Sequence, residues 1–247
     1  MDAKKWEGKI VQFLRSCFRK AGRKTAVAGV SGGLDSAVVL ALCARALGRR
    51  NVIAVFLPSK HTPAQDMKDA RSLARKFGTR TASFNIEPVI RAYGWVAHKK
   101  IDRANVSARV RMAALYSIAR NNNGLVVGTG DKSELMLGYF TKHGDGGADL
   151  FPIAGLYKTE VKELACRLGI QDSIISKPAS PALWKNHTAE AELGFSYDIA
   201  DQVLSAIEFG SSKARLEQRF GKKTAHRIIR RIKENSHKSL PAPVCRM

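Results

Sequence analysis

The chain has 247 residues, 45% of them apolar and 26% charged, and at this length it buries a large core without disulfide or metal staples. No apolar run approaches the ~20 residues of a membrane span, and the opening MDAKKWEGKIVQFLRSCFRK lacks the apolar segment and small-residue cleavage site of a secretory signal. Lys and Arg number 42 against 21 Asp and Glu, a net charge of +21 that attracts polyanions, nucleotides and nucleic acids alike.

In chain order, the opening segment reads as an amphipathic helix with Trp6, Ile10, Val11, Leu14 and Phe18 on one side. Residues 25–30 (TAVAGV) form a short apolar strand, followed by the Gly-rich SGGLDS and the helical run AVVLALCARALG. Residues 52–57 (VIAVFL) are a second strand ended by Pro58, and a helix runs from about Pro63, in its first turn, to Phe77. A weaker strand at 80–86, a long helix over 102–120 and a fully apolar strand at 125–128 (LVVG) follow. Short apolar strands alternating with helices predict an α/β fold, a doubly wound parallel sheet covered on both faces.

The second half changes character. Gly138 to Leu156 is Gly-rich with no helical period, and a helix from Tyr157 to Leu168 is stopped by Gly169. Residues 177–187 (KPASPALWKNH) form a loop with two prolines, and only helices come after it. The last is basic, with Arg227, Arg230, Arg231 and Lys233. No repeat or low-complexity linker intervenes, so residues 1–247 read as one domain with a helical C-terminal extension. Cys17, Cys43, Cys166 and Cys245 are far apart, with no CxxC and no zinc spacing. They point to a reducing, cytoplasmic setting without a structural metal. Cys43 and Cys166 lie in amphipathic helices and are expected to be small buried hydrophobes.

The sharpest feature is strand–GVSGGLDS–helix, from Gly29 to Ser36. A Gly-rich turn after a parallel strand aims consecutive backbone N–H groups at an anion, and the helix adds its positive N-terminal dipole. Gly32 and Gly33 admit φ > 0 and close approach. An ordinary strand–helix turn also favours Ser at the cap and Asp in the first turn, but the whole pattern in this setting favours a ligand. The loop is neither a Walker A nor GxGxxG. It resembles the SGGxDS signature of the PP-loop ATP pyrophosphatases, which grip the pyrophosphate of ATP and cleave between its α and β phosphates. The resemblance implies that Ser31 and Ser36 donate hydroxyl hydrogen bonds and that Asp35 holds Mg²⁺.

Within that superfamily, the stretch from Asn105 onward is similar to the NAD synthetase family almost residue for residue. It carries NVSARVRM, GTGDKSE, GYFTKHGDGGAD and PIAGLYKTEV in that order, with KPASPALW, ELGFSY and the pair His237–Lys238 further on. The resemblance implies a Rossmann-like fold of the adenine-nucleotide α-hydrolase type, with the nucleotide at the C-terminal edge of the strands. ATP would lie on Gly29, Val30, Ser31, Gly32, Gly33, Leu34, Asp35 and Ser36, with Thr129, Lys158 and Ser180. Ser180 stands where many relatives have Thr. Mg²⁺ would be held by Asp35 and Glu134; outside the motif, Glu134 would read as a solvated carboxylate in a helix's first turn. Deamido-NAD would meet Arg109, Lys142, Asp149, His237 and Lys238, although His237 and Lys238 also suit a solvated basic tail. The catalytic set would be Asp35, Lys142 and Lys158.

The implied reaction adenylates the nicotinate carboxylate with ATP and displaces AMP with ammonia, so catalysis is chiefly positioning and charge neutralisation. Asp145 and Asp149 are the candidate bases for ammonium, and the stretches 143–149 and 179–187 the candidate lids. The chain lacks the nitrilase-like domain of glutamine-dependent relatives, so free ammonia is the expected donor. A homodimer is expected, with the helix 102–120 either at the interface or packed on the sheet. A PP-loop tRNA-modifying enzyme is the rival reading, but its cysteine pairs are missing and it leaves GYFTKHGDGGAD unexplained. The basic AHRIIRRIKENSHK could track nucleic acid, yet its isoleucines fit an amphipathic helix with a cationic face, so a nucleic-acid partner is not expected.

Overall fold

The structure, a computed structural model, describes residues 2–180 and 187–245. Its elements are α1 (Ala3–Lys20), β1 (Thr25–Gly29), α2 (Leu34–Leu47), β2 (Val52–Phe56), α3 (Ala64–Phe77), β3 (Arg80–Ser83), α4 (Glu87–Ala92), α5 (Lys100–Asn121) and β4 (Gly124–Val126). The helices α6 (Lys132–Leu137), α7 (Lys158–Leu168), α8 (Asp172–Ile175), α9 (Ala189–Leu193), α10 (Tyr197–Glu208), α11 (Lys213–Phe220) and α12 (Lys222–Asn235) complete the chain.

The four strands form one parallel sheet in the order β3-β2-β1-β4, with Gly29 opposite Val55 and Val27 opposite Val126. Alternate strand residues feed opposite cores, as the two-residue period of a strand requires. Ala26, Ala28, Val52, Ala54 and Phe56 join the face covered by α1, α2, α3 and α7. Val27, Ile53, Val55 and Val126 join the face covered by α5 through Met112, Leu115 and Ala119. The doubly wound expectation therefore holds. β2 is buried throughout, whereas β3 is a largely exposed edge.

The N-terminal helix buries Trp6, Ile10, Leu14 and Phe18 as its period predicts. The helix expected from Pro63 begins one residue later, with Pro63 as its N-cap. A third core lies outside the sheet, built from Leu137 of α6 and from α9 to α12 through Leu193, Leu204, Leu216 and Ile228. Cys43 is fully buried, and burial pushes its thiol up to about 12. Cys166 corrects the expectation, because it is exposed. α7 buries Val161, Leu164, Ala165 and Leu168, and position 166 falls off that stripe. On α5, Met112 and Leu115 pack on the sheet while Tyr116 stays exposed, so sheet packing uses only part of that helix's apolar surface.

Candidate active site

β1 ends at Gly29, and the Val30 N–H donates to the Val55 carbonyl at 2.9 Å before the chain leaves the sheet. Gly32 then adopts φ +83°, and a Cβ there would collide with the Asp66 carbonyl oxygen, so conformation and space both demand glycine. The turn braces itself. Ser36 Oγ donates to the Gly33 carbonyl at 3.0 Å and accepts from the Ser31 N–H at 3.2 Å. Ser31 Oγ lies 3.2 Å from Ser36 Oγ and accepts from the Gly33 N–H at 3.3 Å. The amides of Ser31 and Gly33 thus meet two hydroxyls on one turn at the N-terminus of α2, a nest where the helix dipole favours an anion. Leu34 is buried beneath it, and Asp35 sits in the first turn of α2.

β4 lies beside β1, so the segment that follows it runs past this nest. Thr129 is half-buried there. Asp131 caps α6: its Oδ1 accepts from the Glu134 N–H at 2.8 Å, while Glu134 Oε2 accepts from the Asp131 N–H at 3.4 Å. α7 opens at Lys158, whose side chain is 2% exposed. Its Nζ reaches Asp35 Oδ2 at 2.8 Å, Asp131 Oδ2 at 2.7 Å and Glu134 Oε1 at 2.9 Å.

Three carboxylates around one ammonium leave an excess of negative charge in a desolvated place. Burial pushes the Asp131 carboxyl up to about 6 against the pull of Lys158, with Asp35 adding to the rise. Burial likewise raises Glu134 well above the usual range, Lys158 opposing and Asp131 and Asp35 reinforcing. For Lys158, burial alone would favour the neutral amine, but Asp131, Asp35 and Glu134 together hold it firmly charged. The excess calls for a further cation. Asp35, Asp131 and Glu134 each offer an oxygen within 4.8 Å of the others, and Asp35 Oδ1 is buried without a hydrogen-bond partner. An all-oxygen donor set of this kind fits Mg²⁺.

Asp131 and Asp201 are the residues that sequence reasoning missed. Asp131 lies inside GTGDKSE, and its spacing to Glu134 is a capping-box signal. Asp201, on α10, is buried, accepts from Ser133 Oγ, and accepts from the Thr159 N–H at 2.9 Å. Ser133 Oγ in turn accepts from the Lys158 N–H at 3.0 Å. One carboxylate of the helical layer therefore fixes both the helix that carries Glu134 and the turn that carries Lys158.

The residues expected at the acceptor substrate gather in a second group. Arg109 Nε donates to the Lys142 carbonyl at 3.3 Å, and Lys142 Nζ donates to the His237 carbonyl at 2.9 Å. Lys238 Nζ donates to the carbonyls of Gly138 at 2.8 Å and Phe140 at 3.2 Å. The stretch after Phe140 turns tightly, with the Gly144 and Gly146 N–H groups both donating to the Thr141 carbonyl. Cβ atoms on Gly144 and Gly146 would press on Ala108 and on the Phe140 ring. Asp149 is bound elsewhere: its Oδ2 accepts from the Val126 N–H at 2.7 Å, in a crevice shared with Arg23, Tyr116 and Arg120. Ser180 Oγ donates to the His187 carbonyl. Most of the second expected lid, 181–186, lies outside the described residues.

A family model described as NAD synthase matches residues 7–242. An NH3-dependent NAD+ synthetase of Pyrobaculum aerophilum is 43% identical over 247 residues, spanning 98% of this chain and 92% of the relative. Among solved structures, an NMN synthetase from Francisella tularensis is similar at a TM-score of 0.90, with 31% identity and all of both chains covered. An NH3-dependent NAD synthetase from Campylobacter jejuni is similar at a TM-score of 0.86, with 29% identity and all of both chains covered. With the match running over nearly its whole length, the chain belongs to the NAD synthase family.

Proposed function

We propose that the chain is an ammonia-dependent NAD synthetase, a carbon–nitrogen ligase that converts deamido-NAD to NAD with ATP, releasing AMP and pyrophosphate. The observation that carries this reading is the self-braced phosphate nest beside Lys158 and its three carboxylates. Family membership and the names of the curated relatives agree with it. Residues 1–247 act as one synthetase unit, in keeping with the extent of the family match.

A carboxylate resists direct displacement by ammonia at neutral pH, so its oxygen is first converted to a leaving group. The amides of Ser31 and Gly33 and the hydroxyls of Ser31 and Ser36 hold the β and γ phosphates of ATP, with Thr129 and Ser180 as further nucleotide contacts. Lys158 faces the α phosphate as charge gathers on its oxygens. Asp35 and Glu134, with Asp131 beside them, would hold Mg²⁺, which would supply positive charge to neutralise the pyrophosphate leaving group. Arg109, Lys142, His237 and Lys238 orient the acidic dinucleotide so that a nicotinate oxygen meets the α phosphorus in line. Ammonia then displaces AMP from the adenylate, and the packed 140–147 turn keeps water from competing.

Two copies of the chain complete the assembly, the exposed part of α5 supporting this reading. The four free cysteines suit a reducing, cytoplasmic compartment. Among the described residues no helix is long and apolar enough to cross a membrane. A second reading, in which the acceptor is the acid mononucleotide, is favoured by the likeness to the Francisella NMN synthetase. One assay separates them: ATP, Mg²⁺ and ammonium or glutamine with deamido-NAD or nicotinate mononucleotide, scoring AMP, pyrophosphate and amide. Amide and AMP from deamido-NAD with ammonium are expected; ADP in place of AMP, or an inert dinucleotide, would end the proposal.

A further inference from the structure

Lys177 lies just before the loop that leads to Ser180, and its Nζ makes three contacts, one to the Gly32 turn and two to α3. It donates to the Gly32 carbonyl at 3.0 Å, to Asp66 Oδ1 at 2.8 Å and to Asp69 Oδ2 at 2.7 Å. Asp69 is further held by Gln65 Nε2 at 2.8 Å. The two carboxylates belong to α3, the helix whose Asp66 carbonyl presses against Gly32.

A trans peptide is planar, so its C=O and the following N–H point in opposite directions. The structure contains no cis bond among its described residues. Whatever fixes the Gly32 carbonyl therefore also fixes the Gly33 N–H. The carbonyl is drawn outward by an ammonium ion, and the Gly33 N–H faces the other way, to Ser31 Oγ inside the nest. A glycine–glycine peptide has few steric reasons to prefer one orientation over its flipped form. With the peptide flipped, a carbonyl oxygen would face the phosphates in place of a donor.

From this geometry we infer that Lys177 is a positioning residue for nucleotide binding: it locks the Gly32–Gly33 peptide with its N–H toward the phosphates and ties α3 and the segment before Ser180 to that peptide. The inference rests on reading residues 29–36 as the phosphate site. Asp66 and Asp69 hold the ammonium in place and keep Lys177 beyond its ordinary basicity, although burial works the other way.

The test compares binding of ATP and of inorganic pyrophosphate by the full chain, alongside steady-state kinetics and thermal unfolding. Lys177→Met is expected to weaken both ligands about tenfold, the range for a lost hydrogen bond to a charged group. The acceptor KM should stay within about twofold, since the acceptor group is not touched. Lys177→Arg should restore most of the binding. Asp66→Asn removes one charge but keeps an amide oxygen for the ammonium and leaves Asp69 and the Gly32 carbonyl contact in place, so it should lower the melting temperature and leave ligand binding near wild type. Ligand binding unchanged in Lys177→Met, or an equal loss in Asp66→Asn, would overturn the inference and leave Lys177 a structural ion pair. If Lys177→Met is unstable, the Lys177→Met/Asp66→Asn pair, with less unbalanced charge, carries the same comparison. Ser36→Ala tells the two failures apart. If it also leaves pyrophosphate binding intact, the phosphate-site reading falls and the inference with it; if only Ser36→Ala weakens binding, Lys177 alone is misassigned.

Discussion

The proposed phosphate nest and the carboxylate–lysine cluster share Asp35 yet are built in opposite ways. The nest is contiguous, Gly29 to Ser36, and the hydrogen bonds among its own serines and glycines span at most five residues. The cluster closes contacts between residues 24 and 123 positions apart, so it exists only when β1, β4 and α7 are packed. The turn closes its serine hydrogen bonds locally and takes its distant support at Val30 and Gly32, from Val55 and Lys177, whereas every contact of the assembled cluster depends on the packed core. Lesions in the first should silence chemistry and spare the fold; lesions in the second should affect both.

The strongest break in this contrast is at the shared residue. Asp35→Ala should lower pyrophosphate release about a thousandfold, as expected for a charge used in the reaction, while the melting temperature moves little, because Lys158 keeps Asp131 and Glu134 and the cluster sheds one of its excess negative charges. A folded variant with normal turnover would refute that role. Asp131→Ala tests the assembled side: activity should fall roughly a hundredfold, and stability by about 1 kcal/mol because an N-cap is lost as well. Chemical denaturation measures the second effect, and an unchanged midpoint would erase the distinction. Asp201→Ala acts at one remove. It strands a buried Ser133 hydroxyl and the Thr159 N–H, at roughly 2 kcal/mol, and should lower kcat about tenfold with KM for ATP little changed. Smallest is His237→Ala, whose side chain is exposed at the tail. It should raise the acceptor KM a few-fold and leave stability untouched, a split readable from initial rates and a melting curve.

Local signals made much of this legible. The strand positions follow from short continuous apolar runs, the glycine turn from turn chemistry and the amphipathic stripe of α1 from a 3.6-residue period. Glu134 and Lys158 were reached only through motif resemblance, because nothing within a few residues of either tells where it meets Asp35. Asp131 escaped although it lies inside a quoted motif, since an N-cap aspartate is ordinary and its second role appears only once Lys158 arrives. Asp201 gave no signal beyond an Asp on an amphipathic helix. Cys166 was misjudged through the helical phase: one step past Ala165 leaves the buried stripe. Asp149 sits in the expected motif, but its carboxylate answers a backbone amide at the end of β4.

The Asp201 bridge has a dynamic consequence. Its acceptor role at Thr159 joins positions 42 residues apart, so α10 cannot swing away without loosening the amide that starts α7. In hydrogen exchange the two segments should lose protection together, as one cooperative unit. The buried lysine is then only as still as a helix in the peripheral layer, and loosening of that layer is expected to lower activity before the sheet unfolds.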